Sequence, residues 1–91
     1  MKIGDEQKVM GCFSILAKKE TIEGVQYELY NGKELKDKFG IVRIFDNDSG
    51  EVISIKKYPE YNNAEKDYDK TISILTEGRI KKWKYTLLKK Q

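Results

Sequence analysis

The chain contains no histidine and only one cysteine among its 91 residues. Without histidine, a catalytic triad with an imidazole base cannot be built. A structural zinc site would need carboxylates and one thiolate as ligands, a set that zinc rarely uses. Cys12 has no partner for an intramolecular disulfide, so we expect a cytoplasmic protein. From these absences we predict no metal, no cofactor and no enzymatic activity.

Long apolar runs and nucleotide-binding motifs are missing as well. No stretch approaches 18 consecutive apolar residues, so we predict no membrane span. Gly32-Lys33 lacks the upstream glycine and the following hydroxyl residue of a P-loop. The segment Asp46-Asn47-Asp48-Ser49-Gly50 begins like a calcium loop, but position twelve is Lys57 where a bidentate glutamate is required. We therefore interpret this segment as a hairpin turn.

The composition predicts a small globular protein with a heavily solvated surface. Hydrophobic residues make up 38% of the chain and charged residues 36%. A chain of this length buries roughly 60 to 65% of its unfolded surface, which leaves little room for a deep cavity beside a core. We predict that residues 1–91 form a single domain.

The first half of the chain contains two candidate strands. Residues 10–17 fit either a short strand or one helix, and their β-branched and aromatic residues favour the strand. Residues 25–30 alternate, with apolar side chains at the odd positions, which is typical of a half-buried strand. We expect residues 18–24 to turn the chain between them, and Asn31-Gly32 to supply a second turn.

A β-hairpin is the clearest local signal in the sequence. Two β-branched runs, residues 39–45 and 51–58, flank a five-residue loop that ends in Gly50. This arrangement predicts adjacent antiparallel strands. Pro59 cannot donate to a strand ladder, so the second strand should end there.

An amphipathic helix is predicted over residues 62–77. Asn62 can serve as its N-cap, with Glu65 three residues later, and Gly78 can end it. Apolar residues recur at spacings of three and four, which gives the helix one apolar face. The residues of this face are Tyr61, Ala64, Tyr68, Ile72 and Leu75.

The last thirteen residues hold six basic side chains and no acidic one. As a strand, this tail would place Trp83, Tyr85 and Leu87 on one face. As a helix, it would gather Ile80, Trp83 and Leu87 instead. The aromatic residues, and a break at Gly78, favour an edge strand guarded by lysines.

Together these patterns predict an α+β fold, in which about four to five antiparallel strands pack against one amphipathic helix over residues 62–77 and the basic C-terminal segment adds an edge strand. Since the chain offers no catalytic constellation, we expect a non-catalytic protein-binding module. It would be an adaptor, or an inhibitor that acts by surface occlusion, and a phage or mobile element is one setting that suits it. The candidate protein-binding residues are Tyr30, Tyr58 and Tyr61.

Nucleic-acid binding through the tail is the alternative function. Basic side chains could follow a phosphate backbone while an aromatic ring stacks on an unpaired base. The candidate residues are Arg79, Lys81, Lys82, Trp83, Lys84, Tyr85, Lys89 and Lys90. The orientation of Trp83 separates the two accounts: a buried ring makes the tail part of the fold, and an exposed ring makes it a binding site. The oligomeric state stays open.

Overall fold

A computed structural model of the chain describes the backbone of residues 2–33 and 38–89 and the side chains of residues 2–33 and 38–77. It confirms the predicted α+β class: a curled antiparallel sheet of five strands lies against one helix. The strands are β1 (Glu6–Val9), β2 (Cys12–Ile22), β3 (Val25–Gly32), β4 (Gly40–Asp46) and β5 (Val52–Tyr58), and the helix is α1 (Tyr61–Lys89). Each strand pairs with the next in the order β1-β2-β3-β4-β5, so β5 lies at one edge.

Two tight turns near the N-terminus differ from the sequence-based prediction. Met10-Gly11 and Glu23-Gly24 each have positive φ at both residues, the signature of a two-residue type I′ hairpin turn. The predicted strand over residues 10–17 therefore begins at Cys12, and it continues to Ile22 where a turn was expected. Strand β1, which was not predicted, pairs with the beginning of β2.

The predicted turn at Asn31-Gly32 is wrong, because both residues belong to β3. Asn31 pairs with Ile15 on one side and with Gly40 on the other. Gly32 is required by packing: a Cβ atom there would overlap the Phe39 ring. The glycine therefore marks a close approach inside the sheet.

The hairpin of β4 and β5 confirms the prediction from the β-branched runs. Its loop is ordered by the Asp46 carboxylate, whose Oδ1 accepts hydrogen bonds from the backbone N–H groups of Asp48 (2.8 Å) and Ser49 (3.0 Å). These bonds lower the pKa of Asp46. The carboxylate therefore serves the turn geometry of the hairpin.

Helix α1 begins one residue earlier than predicted. The carbonyl of Glu60 accepts hydrogen bonds from the N–H groups of Asn63 (3.2 Å) and Ala64 (3.3 Å), so Glu60 takes the N-cap position expected for Asn62. Tyr61, Ala64, Tyr68 and Ile72 of the predicted apolar face pack with Leu29 and Val42 of the sheet. The period-3.6 pattern thus identified the packed face.

The predicted end of the helix at Gly78, and with it the edge strand over the tail, is wrong. The backbone of α1 continues without a break to Lys89. One glycine inside a helix costs about 1 kcal/mol relative to alanine, and the lysine-rich residues beyond it are good helix formers with no proline among them. Spacing of three and four between Ile80, Trp83 and Leu87 was therefore the correct signal for the backbone.

Close contacts hold α1 against the sheet. A Cβ atom on Gly40 would lie 2.6 Å from the Ala64 Cβ, so the glycine allows the helix to approach β4. On β2, the Lys18 ammonium donates to Asp69 Oδ1 (3.0 Å) and lies 3.6 Å from a Glu65 oxygen. The hydrogen bond to Asp69 is the main cause of the raised pKa of Lys18.

The core consists of two clusters. The first joins β1 to β4 through Val9, Leu16, Tyr30 and Ile41, with Phe39 packed against them. The second lies between sheet and helix and centres on Leu29, Ala64 and Tyr68.

Over the described residues, α1 lacks the apolar length that a membrane crossing needs.

Candidate functional site

The three predicted protein-binding tyrosines lie in different environments. Tyr30 is 0% exposed, so the expectation that it belongs to a surface patch is wrong. Tyr58 and Tyr61 are half-buried and pack against the cluster between sheet and helix. The Tyr61 hydroxyl also donates to Glu65 one turn later (3.1 Å). Packing in the fold therefore accounts for most of the apolar surface of these rings.

Tyr30 belongs to a buried polar network on the sheet face away from the helix. Arg43 donates from Nε to Glu28 Oε1 at 2.8 Å, and its Nη2 lies 2.6 Å from the same oxygen. The Tyr30 hydroxyl donates to Glu28 Oε1 (2.8 Å) and accepts from Arg43 Nη2 (2.8 Å). Gln7 Oε1, reaching in from β1, lies 3.0 Å from the Tyr30 hydroxyl oxygen.

The buried charge and the buried polar atoms of this network are all paired. Glu28 is only 1% exposed, and its charge is balanced by Arg43, which also lies 5.4 Å from the Tyr30 ring centre. Burial, followed by the hydrogen bond to Glu28, raises the pKa of Tyr30 well above its usual value. Over residues 2–33 and 38–77, every buried side-chain nitrogen or oxygen atom has a hydrogen-bond partner. The network therefore stabilises the curled sheet and is a poor candidate for chemistry.

The predicted nucleic-acid-binding residues fall outside the described side chains. Their backbone from Arg79 to Lys89 continues α1, and Lys90 lies outside the described residues. The orientation of Trp83, on which the two functional accounts depend, also lies outside the described residues.

The outer edge of β5 is the most unusual surface of the described molecule. Val52, Ile53 and Ile55 are 52%, 59% and 38% exposed. Strand β5 pairs only with β4, so its other edge presents backbone N–H and C=O groups without a strand partner in the described part of the chain. Free backbone edge and exposed aliphatic side chains therefore coincide, and we call residues 51–57 the β5 edge.

A bulge increases the exposure of the β5 edge. The pairing of β5 with β4 shifts between Ser54 and Val52, so that Ile53 has no Cα partner on β4. Bulges commonly bend edge strands and turn a side chain away from the sheet. The register break thus helps to explain why Ile53 has the largest exposure of the three aliphatic side chains.

The β5 edge is charged at both ends. Glu51 precedes the aliphatic residues, while Lys56 and Lys57 follow them. The Lys56 ammonium lies 4.8 Å from the Tyr58 ring centre, and that of Lys57 lies 4.7 Å from the Phe39 ring centre. The edge therefore runs from acidic through apolar to basic.

Cys12 lies beside the basic end of this edge. Its thiol is only half-buried, and Lys57 Nζ donates to Sγ at 3.4 Å. The curl of the sheet brings β2 and β5 together, so Cys12, whose neighbours in sequence are Gly11 and Phe13, lies beside a lysine. This contact links Lys57 to the fold as well as to the surface.

The β5 edge is a candidate site that was not predicted from the sequence. Its hairpin was identified, but the aliphatic residues of β5 were read as ordinary strand formers. One signal was available: Val52 and Ile53 are adjacent apolar residues in a strand that ends at a proline and leads into a helix, which places it at an edge of a simple meander.

No known protein family, curated protein or solved structure matches the chain.

Proposed function

We propose that the protein is a non-catalytic protein-binding module, an adaptor or an inhibitor, that occludes a partner's surface by docking through the β5 edge. One observation carries the proposal: three aliphatic side chains are exposed on a strand whose outer backbone edge has no strand partner in the described part of the chain. An extended segment of another protein can add to such an edge. Its backbone supplies hydrogen bonds, and its side chains contact the exposed aliphatic residues.

The arrangement of the strand supports this use of the edge. Natural proteins usually protect an edge strand with charges, with proline, or with a covering element, because an open apolar edge invites association. Here the lysines lie only at one end, and Ile53 stands at the centre with 59% of its surface exposed. The free Cys12 thiol is consistent with a cytoplasmic setting, which we include in the proposal.

Affinity capture from the native host tests the proposal. The wild-type chain is compared with Ile53→Lys, which places a charge in the centre of the edge. Ile74→Lys is the matched control. Ile74 is 57% exposed, and it lies on α1 and not on the β5 edge. We expect one protein to be retained by the wild type and by Ile74→Lys, and to be lost with Ile53→Lys.

A nuclease-treated sample separates the alternative function. If retention needs nucleic acid and is lost in a triple Lys81, Lys82, Lys84→Glu variant, the basic tail is the binding element. In that case log affinity for nucleic acid should fall with log salt, with a slope of magnitude at most about 5 from six cationic contacts. Retention of the same protein by Ile53→Lys contradicts docking at the β5 edge.

A further inference from the structure

We infer that the β5 edge also pairs with a second copy of this chain, in antiparallel orientation about a two-fold axis. The inference concerns the same surface as the proposed function, but it requires no other protein. It depends on the order of charges along residues 51–57 and on their position at the sheet edge.

The charge order of the edge is self-complementary in one orientation only. Glu51 lies at the start, the aliphatic residues lie in the middle, and Lys56 and Lys57 lie at the end. A two-fold axis near Ser54 reverses the second strand, so each Glu51 faces the lysines of the other copy. A parallel arrangement in register would instead place like charges beside each other. Opposite charges across a strand pair stabilise it, and like charges destabilise it.

The apolar centre adds to this complementarity. Reversal about Ser54 brings Ile53 and Ile55 of one copy beside the same residues of the other, where their exposed surface is removed from water. Pro59 ends the strand, so Glu60 leaves the line of the edge before it meets the acidic hairpin loop of the second copy. The pairing is isologous, as expected of a symmetric dimer.

The size of the edge limits the strength of the dimer. Two strands of seven residues bury less than the roughly 1,200 Å² that is typical of stable complexes, so the association should be weak and concentration-dependent. It would compete with any partner that adds a strand to the same edge. Self-association would thus regulate partner binding through concentration.

Sedimentation equilibrium of the full chain at low salt tests the inference. We expect the average mass to rise with concentration from 10.6 kDa toward twice that value. Glu51→Lys should weaken self-association about tenfold, because it replaces two attractive pairs with two repulsive ones. Ile53→Lys should weaken it as well, while the exposed helix variant Ile74→Lys should behave as the wild type does. Circular dichroism checks that each variant is folded.

A charge-swap mixture tests the orientation. Lys56→Glu makes the basic end of the edge more acidic, and it leaves in place the Lys57 contact with Cys12. Glu51→Lys and Lys56→Glu should each associate less than the wild type when alone, yet an equal mixture should associate more strongly than either variant by itself. This recovery is expected only if the two ends of the edge meet.

Three results would overturn the inference. The first is a wild-type mass that stays at 10.6 kDa up to about 1 mM, a concentration at which even weak interfaces associate. This result excludes the dimer and has no bearing on partner capture. A dimer that persists unchanged in Ile53→Lys and Glu51→Lys lies at another surface. Loss of partner capture in Ile53→Lys without any change in self-association would likewise contradict the inference and support the proposed function.

Discussion

Strands β3 and β5 have similar lengths but opposite relations between polarity and burial. In β3, the carboxylate of Glu28 and the hydroxyl of Tyr30 lie in the interior. In β5, three aliphatic side chains face solvent. The difference follows from the sheet order, because β3 has a strand on each side whereas β5 has one only on the side of β4.

The comparison shows that a buried charge can stabilise the fold, while the exposed apolar groups form the surface that we propose for binding. Glu28 is neutralised by Arg43 and hydrogen-bonded by Tyr30, so its burial is compensated locally. The aliphatic residues of β5 have no such compensation within the described fold. We therefore expect substitutions in the two strands to act on different properties: stability in β3 and association in β5.

A large loss of stability is expected from breaking the polar network of β3. Arg43→Ala leaves the Glu28 carboxylate buried and unpaired, and should lower the free energy of unfolding by about 3 kcal/mol. Urea denaturation followed by circular dichroism measures this change through its midpoint. Replacing both partners, with Glu28→Met and Arg43→Met, should recover most of the loss because no buried charge remains.

An additive outcome would contradict this account. If the double variant loses as much stability as the two single variants together, Glu28 and Arg43 do not act as a pair. The Tyr30 hydroxyl keeps an acceptor in the double variant, since Gln7 Oε1 lies within 3.0 Å.

Alkaline pH should reveal the buried tyrosine of β3. The pKa of Tyr30 is raised in the folded state, mainly by burial, whereas in the unfolded chain it is about 10. The stability due to this shift is therefore complete below about pH 10 and is lost as the pH rises above it. Above that pH, only the unfolded chain loses the tyrosine proton. The free energy of unfolding should therefore fall by about 1.4 kcal/mol per pH unit.

Tyr30→Phe should reduce this slope by that amount, as measured by urea denaturation between about pH 10 and pH 12. Tyr68 on α1 also has a raised pKa, mainly from burial, so Tyr68→Phe gives a second and separate reduction. If Tyr30→Phe leaves the slope unchanged, the wild-type Tyr30 hydroxyl ionises as readily in the folded state as in the unfolded state.

The smallest effect on stability is expected at the β5 edge. Ile53→Lys changes a side chain that is mostly exposed, so the free energy of unfolding should change by no more than about 0.5 kcal/mol. Leu29→Ala in β3 is the contrasting substitution, and should cost about 2 to 5 kcal/mol because Leu29 is fully buried. A large loss in Ile53→Lys would mean that this residue stabilises the monomer and is not a free binding surface.

Local sequence patterns predicted several elements well. The hairpin over residues 39–58 was evident from two β-branched runs around a loop, and the apolar spacing of Tyr61, Ala64 and Tyr68 identified the helix face. In these cases the signal comes from residues close together in the chain.

Other predictions were wrong because the same residue type can serve two different purposes. Gly32 was read as a turn residue, but it gives room to the Phe39 ring, and Gly78 was read as a helix end although the helix continues. Tyr30 was predicted as a surface anchor because it lies near a strand end, yet strands on both sides of β3 and the curl of the sheet bury its even face. A glycine in the sequence does not by itself show whether the position needs conformational freedom or close packing.

The sequence by itself determined which chemistry is absent, the strand and helix segments with strong local periodicity, and the order of charges along β5. Only the tertiary structure decided that Glu28 and Arg43 meet in the interior and that β5 forms an exposed edge. The reason is physical: periodicity is a property of neighbouring residues, whereas burial and edge position depend on strands brought together from distant parts of the chain.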